Sequence, residues 1–173
     1  MEDKREYARV DVFIPIKYKK ITDPEELKKP PRVFGDPSLL FPKPLEYPKD
    51  QVIADWLKYI NSKLDLIINL LGVKKELEAD YRYSWVNIGA GGISFETKEK
   101  FKEDEIIEIE MVLEGVIPTV IILKGTVSWC EETEGGYRIG VKFIDLPERV
   151  REIIARFVFE KQREILSKKR SDK

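Results

Sequence analysis

Two short stretches of the chain hold residue types that could grip an anion or the edge of a purine. Near the start, "KREYAR" places Arg5 and Arg9 four apart, immediately before a strand-like run. The planar fork of an arginine pairs bidentately with a phosphate or with the O6/N7 edge of guanine, and its flat face stacks on aromatic rings. Further on, "NIGAGG", Asn87 to Gly92, gathers Gly89, Gly91 and Gly92 into one turn between two strand-like runs. Glycine is costly inside a strand, so the cluster is either a tight hairpin or a place where something must come close to the backbone. Successive N–H groups in an open turn can hold an anion, and Asn87 adds both a donor and an acceptor. Taken singly, each stretch also has a plain reading, a solvated arginine-bearing tail and an ordinary hairpin.

Composition narrows what else the chain could do. Histidine is absent and Cys130 is the single cysteine, which removes an intrachain disulfide, a cysteine-based zinc site and the histidine-dependent nucleophilic triads. No metal site is expected, no cluster of carboxylates or lysines points to catalysis, and the chain is not expected to be an enzyme. The net charge of −1, with basic and acidic residues interleaved, gives no bulk field for nucleic acid, and no DNA binding is expected. With 42% hydrophobic and 36% charged residues the chain reads as a folded domain. Its apolar runs fall short of a membrane span, and no charged start, apolar stretch and small-residue cleavage site opens it. A cytoplasmic location is the expectation.

The elements that must position the arginines and the glycine turn are mostly strands. "RVDVFIPIKYKKI", from Arg9 to Ile21, alternates, with Val10, Val12 or Phe13, Ile14 and Ile16 as the inward set. Pro15 implies an edge position or a bulge there. Seven prolines between residues 23 and 49 predict an extended, irregular linker. A helix is predicted over 50–72, with Asp50 as its N-cap and Gly72 just past its end. Within it Ile53, Leu57, Ile60, Leu64, Ile67 and Leu71 recur at spacings of four and three, and Trp56, Ile68 and Leu70 widen the apolar face. Such a helix either packs on its own domain or joins the same helix of another subunit; the regular spacing favours a homo-oligomer. "YRYSWVNI", "GISFET", "EIIEIEMVL", "TVIILKGTVSWCEE" and "EGGYRIGVKFIDL" then read as short strands, with Gly135 and Gly136 in a hairpin turn. A helix over 147–168 closes the chain, its apolar face marked by Val150, Ile153, Ile154, Phe157 and Leu166.

In this order the two stretches resemble the PilZ domain, in which Arg-x-x-x-Arg before the first strand is followed by Asp/Asn-x-Ser-x-x-Gly between two later ones. Arg5 and Arg9 match the first motif, and Asn87 and Gly92 match the ends of the second. The likeness extends through "ISFET", "GTVSW", "YRIGVKFIDL" and "FVFEKQREI", and leaves residues 22–80 as an insertion. The resemblance implies a mainly β fold, a six-stranded antiparallel barrel with a C-terminal helix and, here, an inserted amphipathic helix. It implies cyclic di-GMP as the ligand, with no other cofactor, and an unidentified downstream protein in motility, biofilm or secretion machinery. Arg5 and Arg9 would clamp guanine edges and phosphates, Asn87 would bond a guanine edge, and Gly92 would admit the backbone. Lys4 would add a phosphate contact. Gly89 stands where the pattern has serine, so a hydroxyl donor is missing, and a loss of about tenfold in affinity is expected. Some relatives with assembling helices do not bind the nucleotide, so an oligomeric adaptor is the alternative reading.

Overall fold

The computed structural model describes residues 6–35, 48–78, 81–114 and 118–171. In chain order they form β1 (Arg9–Lys20), α1 (Pro24–Leu27), β2 (Arg32–Phe34), α2 (Gln51–Glu78) and β3 (Arg82–Gly89). There follow β4 (Gly92–Thr97), β5 (Ile106–Leu113), β6 (Thr119–Thr133), β7 (Gly136–Phe143) and α3 (Glu148–Ser171). Two compact units result, Met1–Asp36 with Arg82–Lys173, and Pro37–Tyr81.

The first unit is a closed antiparallel barrel of six strands in the order β6-β5-β1-β3-β4-β7, with β7 returning to pair with β6. Closure depends on the length of β6. Its first half pairs with β5 from Thr119 to Thr126, and its second half pairs with β7 from Gly125 to Thr133. A closed sheet leaves few exposed backbone groups for another chain to pair with. Alternation fills the interior: on β5, Ile107, Ile109, Met111 and Leu113 point inward between half-buried neighbours. On β1 the inward residue is Val12, while Phe13 is 50% exposed, which resolves the ambiguity in the sequence. Phe13 instead joins Tyr83 and Trp85 outside the barrel, with ring centres 5.5 Å apart in each pair. Pro15 is tolerated because the ladder to β5 begins only at Ile16, so one edge of the strand is unpaired beside it.

Up to residue 35 the proline-rich stretch is more regular than expected, while residues 36–47 of the expected linker lie outside the described residues. Asp23 caps α1 by accepting from the Glu25 amide at 2.9 Å, and Pro24 occupies a first-turn position where its missing N–H costs nothing. β2 then pairs with Val120 to Ile122 of β6, continuing the edge that β7 leaves at Gly125. The buried Lys124 ammonium donates to the Leu27 carbonyl at 3.0 Å and to the Lys29 carbonyl, fastening the strap between them. Residues up to Asp36 therefore cluster with the barrel although they lie within the expected insertion.

In the second unit Asp50 caps α2 through the amides of Val52 and Ile53, at 2.9 and 3.2 Å. The helix continues past Gly72 to Glu78, because one interior glycine costs only about 1 kcal/mol and Lys74, Lys75, Glu76 and Leu77 favour helix. All six seam residues from Ile53 to Leu71 remain 44–62% exposed in the single chain. The side chain of Ile68 lies outside the described residues.

α3 buries Val150, Ile153, Ile154, Phe157 and Val158, but Leu166, expected on that face, is exposed. Leu166 follows Phe157 by nine residues, which at about 3.6 residues per turn places it about half a turn away, on the face opposite the buried stripe. No helix among the described residues is long and apolar enough to cross a membrane.

Candidate functional site

The antiparallel register of β1 on β3 places Arg9 opposite Gly89 and Asp11 opposite Asn87. These residues alternate with the buried Val10, Val12, Val86 and Ile88, so they share the outer face. Arg9 is thus diagonal to Asn87, and its stem crosses β3 at Gly89. A Cβ on Gly89 would stand 2.7 Å from the Ala8 carbonyl oxygen and 2.9 Å from Arg9 Cγ. The absent side chain is what lets the arginine lie down. It reaches Asn87 twice: Nε donates to Oδ1 at 2.5 Å, and Nη2 donates to the main-chain carbonyl at 2.8 Å. The Asn87 amide in turn donates to Asp11 Oδ1 at 2.9 Å.

The residues before Arg9 are held from two sides. The Tyr7 ring lies against Gly91, where a Cβ would come within 2.9 Å of Cδ2. The Arg151 guanidinium sits 5.2 Å from the centre of that ring and donates through Nη1 to the Ala90 carbonyl at 3.3 Å. Just past the middle of α3, the Gln162 amide donates to the Arg9 carbonyl at 2.9 Å. The helix that closes the barrel therefore fixes the arginine segment at two places.

A bulge supplies the remaining wall. The β6–β7 register shifts between Val127 and Trp129, leaving Ser128 as the extra residue and bringing Trp129 opposite Gly140. The indole lies on Gly140 so closely that a Cβ there would be 2.1 Å from Nε1. Around these walls is a cavity of about 370 Å³, lined by Glu6, Tyr7, Arg9, Asn87, Gly91, Gly92, Ile93, Ser94, Ser128, Trp129, Gly140, Val141 and Lys142. It combines the Arg9 guanidinium, the Lys142 ammonium, the Glu6 carboxylate, the Trp129 indole and the glycines of β4 and β7. Those groups suit a flat, hydrogen-bonding ring that carries an anionic group.

The structure brings Arg9, Asn87, Gly89 and Gly92 together; Arg5 and Lys4 lie outside the described residues. Gly89 is beneath the arginine stem and does not line the cavity. Gly92 does, yet its missing Cβ answers first to the Val141 carbonyl, 2.4 Å from where that atom would be. The closeness of β4 to β7 is thus what requires a glycine there. Tyr7, Trp129, Lys142 and Arg151 escaped the sequence reading. For Trp129 the reason is physical, since a bulge breaks the period of two that would have told which way the indole points. Gly140→Ala is expected to push the indole aside, lower Tm by about 3–10 °C and alter the near-ultraviolet circular dichroism of tryptophan. An unchanged spectrum and Tm would contradict this placement of the indole.

A family profile described as the PilZ domain matches residues 64–160, from within α2 to within α3, and leaves β1 outside. An uncharacterised protein of Aquifex aeolicus (strain VF5) is 40% identical over 90 residues, which cover 51% of this chain and 43% of that protein. Among solved structures, a pathogenic protein from Xanthomonas campestris superposes with a TM-score of 0.68 at 15% identity, over 93% of this chain and 91% of that one. It is described as a tetrameric PilZ domain self-assembled through a helical bundle. The Bacillus subtilis inhibitor of motility MotI/DgrA gives a TM-score of 0.53 at 10% identity, over 94% of this chain and 53% of that one. At these identities the two likenesses are ones of fold.

Proposed function

The chain belongs to the PilZ domain family, and from that premise we propose that it is a receptor for cyclic di-GMP whose subunits associate through α2. PilZ domains are binding modules without catalysis, and members of the family in general bind this dinucleotide. The observation that carries the reading is the meeting of Arg9 and Asn87, 78 residues apart in sequence, at the rim of a cavity with an indole and a lysine in its wall. In this reading Arg9 and Lys142 take the phosphates, Asn87 and the backbone near Gly92 take a guanine edge, and Trp129 stacks on a base. Arg5 completes the clamp when the ligand is bound. Because Tyr7 and the Arg9 carbonyl touch α3, rearrangement of the arginine segment changes the surface that α3 and the barrel mouth offer a protein partner.

Titration calorimetry with cyclic di-GMP tests this. The wild type is expected to give saturable heat, and Arg9→Ala to bind about tenfold more weakly or worse. No heat from the wild type overturns the receptor reading; equal affinities overturn the assignment of Arg9.

A second reading, an oligomeric adaptor that binds protein and no nucleotide, is favoured by one observation. Arg9 and Asn87 already satisfy each other, so a ligand must replace those bonds. A wild type that associates yet gives no heat with the dinucleotide is the result this reading expects.

A further inference from the structure

Asn87 carries a side chain whose two ends have opposite hydrogen-bonding character in nearly the same shape. Only one of its two orientations presents an acceptor to Arg9; the other sets an NH2 group against a guanidinium, donor to donor. Something must select the orientation, and a neighbouring carboxylate is placed to do so. Asp11 is the residue directly opposite Asn87 in the β1–β3 ladder, on the same outer face. Its Oδ1 accepts from Asn87 Nδ2 at 2.9 Å. A carboxylate has only acceptors to offer, so this bond commits the nitrogen end of the amide to Asp11 and the oxygen end to Arg9 Nε.

The geometry points to Asp11 as a positioning residue: we propose that it sets the Asn87 amide and, through it, aims the Arg9 guanidinium at the cavity. The proposal rests on the reading of this cavity as the ligand site, although the aiming itself is a property of the chain without ligand. It also accounts for asparagine at a position where the family pattern accepts aspartate or asparagine. With Asp11 at hydrogen-bonding distance across the ladder, an aspartate at 87 would set two carboxylates against each other. The three residues thus share one negative and one positive charge, the negative one being carried on β1.

The charge can be moved to test this. Asp11→Ala removes the acceptor. Asn87→Asp creates the carboxylate pair. The double variant Asp11→Asn with Asn87→Asp reverses the bond, so that residue 11 donates and residue 87 accepts from both neighbours. The readout is the Arg9 Nε–H resonance, identified by its loss in Arg9→Lys and followed for protection from solvent exchange in ligand-free protein. Protection is expected in the wild type and lost in Asp11→Ala, and it is expected to persist in Asn87→Asp and in the double variant, because a carboxylate at 87 accepts from Arg9 in either orientation. Cyclic di-GMP affinity is expected to fall about tenfold in Asp11→Ala, in which Asn87 itself is unchanged. A residue that mattered only for folding would not give recovery by exchange of charge. Equal protection in wild type and Asp11→Ala overturns the proposal, as does a double variant no better than Asp11→Ala. Should the wild type show no affinity, the receptor reading fails, and the pattern of protection still decides the role of Asp11.

Discussion

Gly89→Ser is expected to weaken the candidate site, although it installs the residue that the family pattern carries. On the pattern alone the serine hydroxyl should add a hydrogen bond of about 1.5–3 kcal/mol to a charged ligand. The geometry opposes this. The obstruction begins at Cβ, 2.7 Å from the Ala8 carbonyl oxygen and 2.9 Å from Arg9 Cγ, so no choice of χ1 relieves it. The oxygen belongs to the backbone, and moving it shifts the segment that Tyr7 anchors between Gly91 and Arg151. Overpacking of this kind costs about 1–3 kcal/mol, and the same displacement lifts Arg9 from Asn87. Two losses therefore stand against one gain that depends on the ligand. We expect cyclic di-GMP to bind Gly89→Ser at least about tenfold more weakly than the wild type, with Tm lower by about 3–10 °C. Tighter binding at unchanged Tm would show that the arginine does not need the space.

Leu64→Asp is expected to separate the subunits. Ile53, Leu57, Ile60, Leu64, Ile67 and Leu71 form a continuous seam, each about half exposed in the single chain, flanked by the exposed Trp56 and Leu70. An apolar face of this extent is rare on a monomer, and fully burying a leucine or isoleucine contributes about 1.5–3 kcal/mol. Leu64 lies near the middle of the seam. A carboxylate there would be desolvated without a partner in every subunit of the assembly, at a cost of several kcal/mol each. Light scattering should therefore give a multiple of the chain mass for the wild type and the mass of one chain for the variant. The barrel should persist, because its core residues lie in a separate compact unit. A wild type with the mass of a single chain would remove the proposed association in both functional readings.

Much of the fold was legible because its signals are local. Strand alternation from Ile106 to Leu113, the Asp50 cap and the turn at Gly135 and Gly136 each depend on residues within a few positions of one another. The proline-rich stretch was less legible. Its short strand exists because β6 offers an unpaired edge, a fact about the barrel and not about residues 32–34. On α3 the error was one of period: Leu166 was assigned to the apolar face, but it lies about half a turn from Phe157 and falls outside the buried stripe.

By itself the sequence determined the strand-rich class, the heptad seam and the two motifs whose residue types suit a nucleotide, since these are written in composition and short spacings. Only the tertiary structure decided why Gly89 is glycine, where Tyr7 and Trp129 go, and that Asp11 faces Asn87. Each of those follows from register, from a one-residue bulge or from a helix crossing β1. Such offsets join residues as far apart as Arg9 and Gln162, and no local period records them.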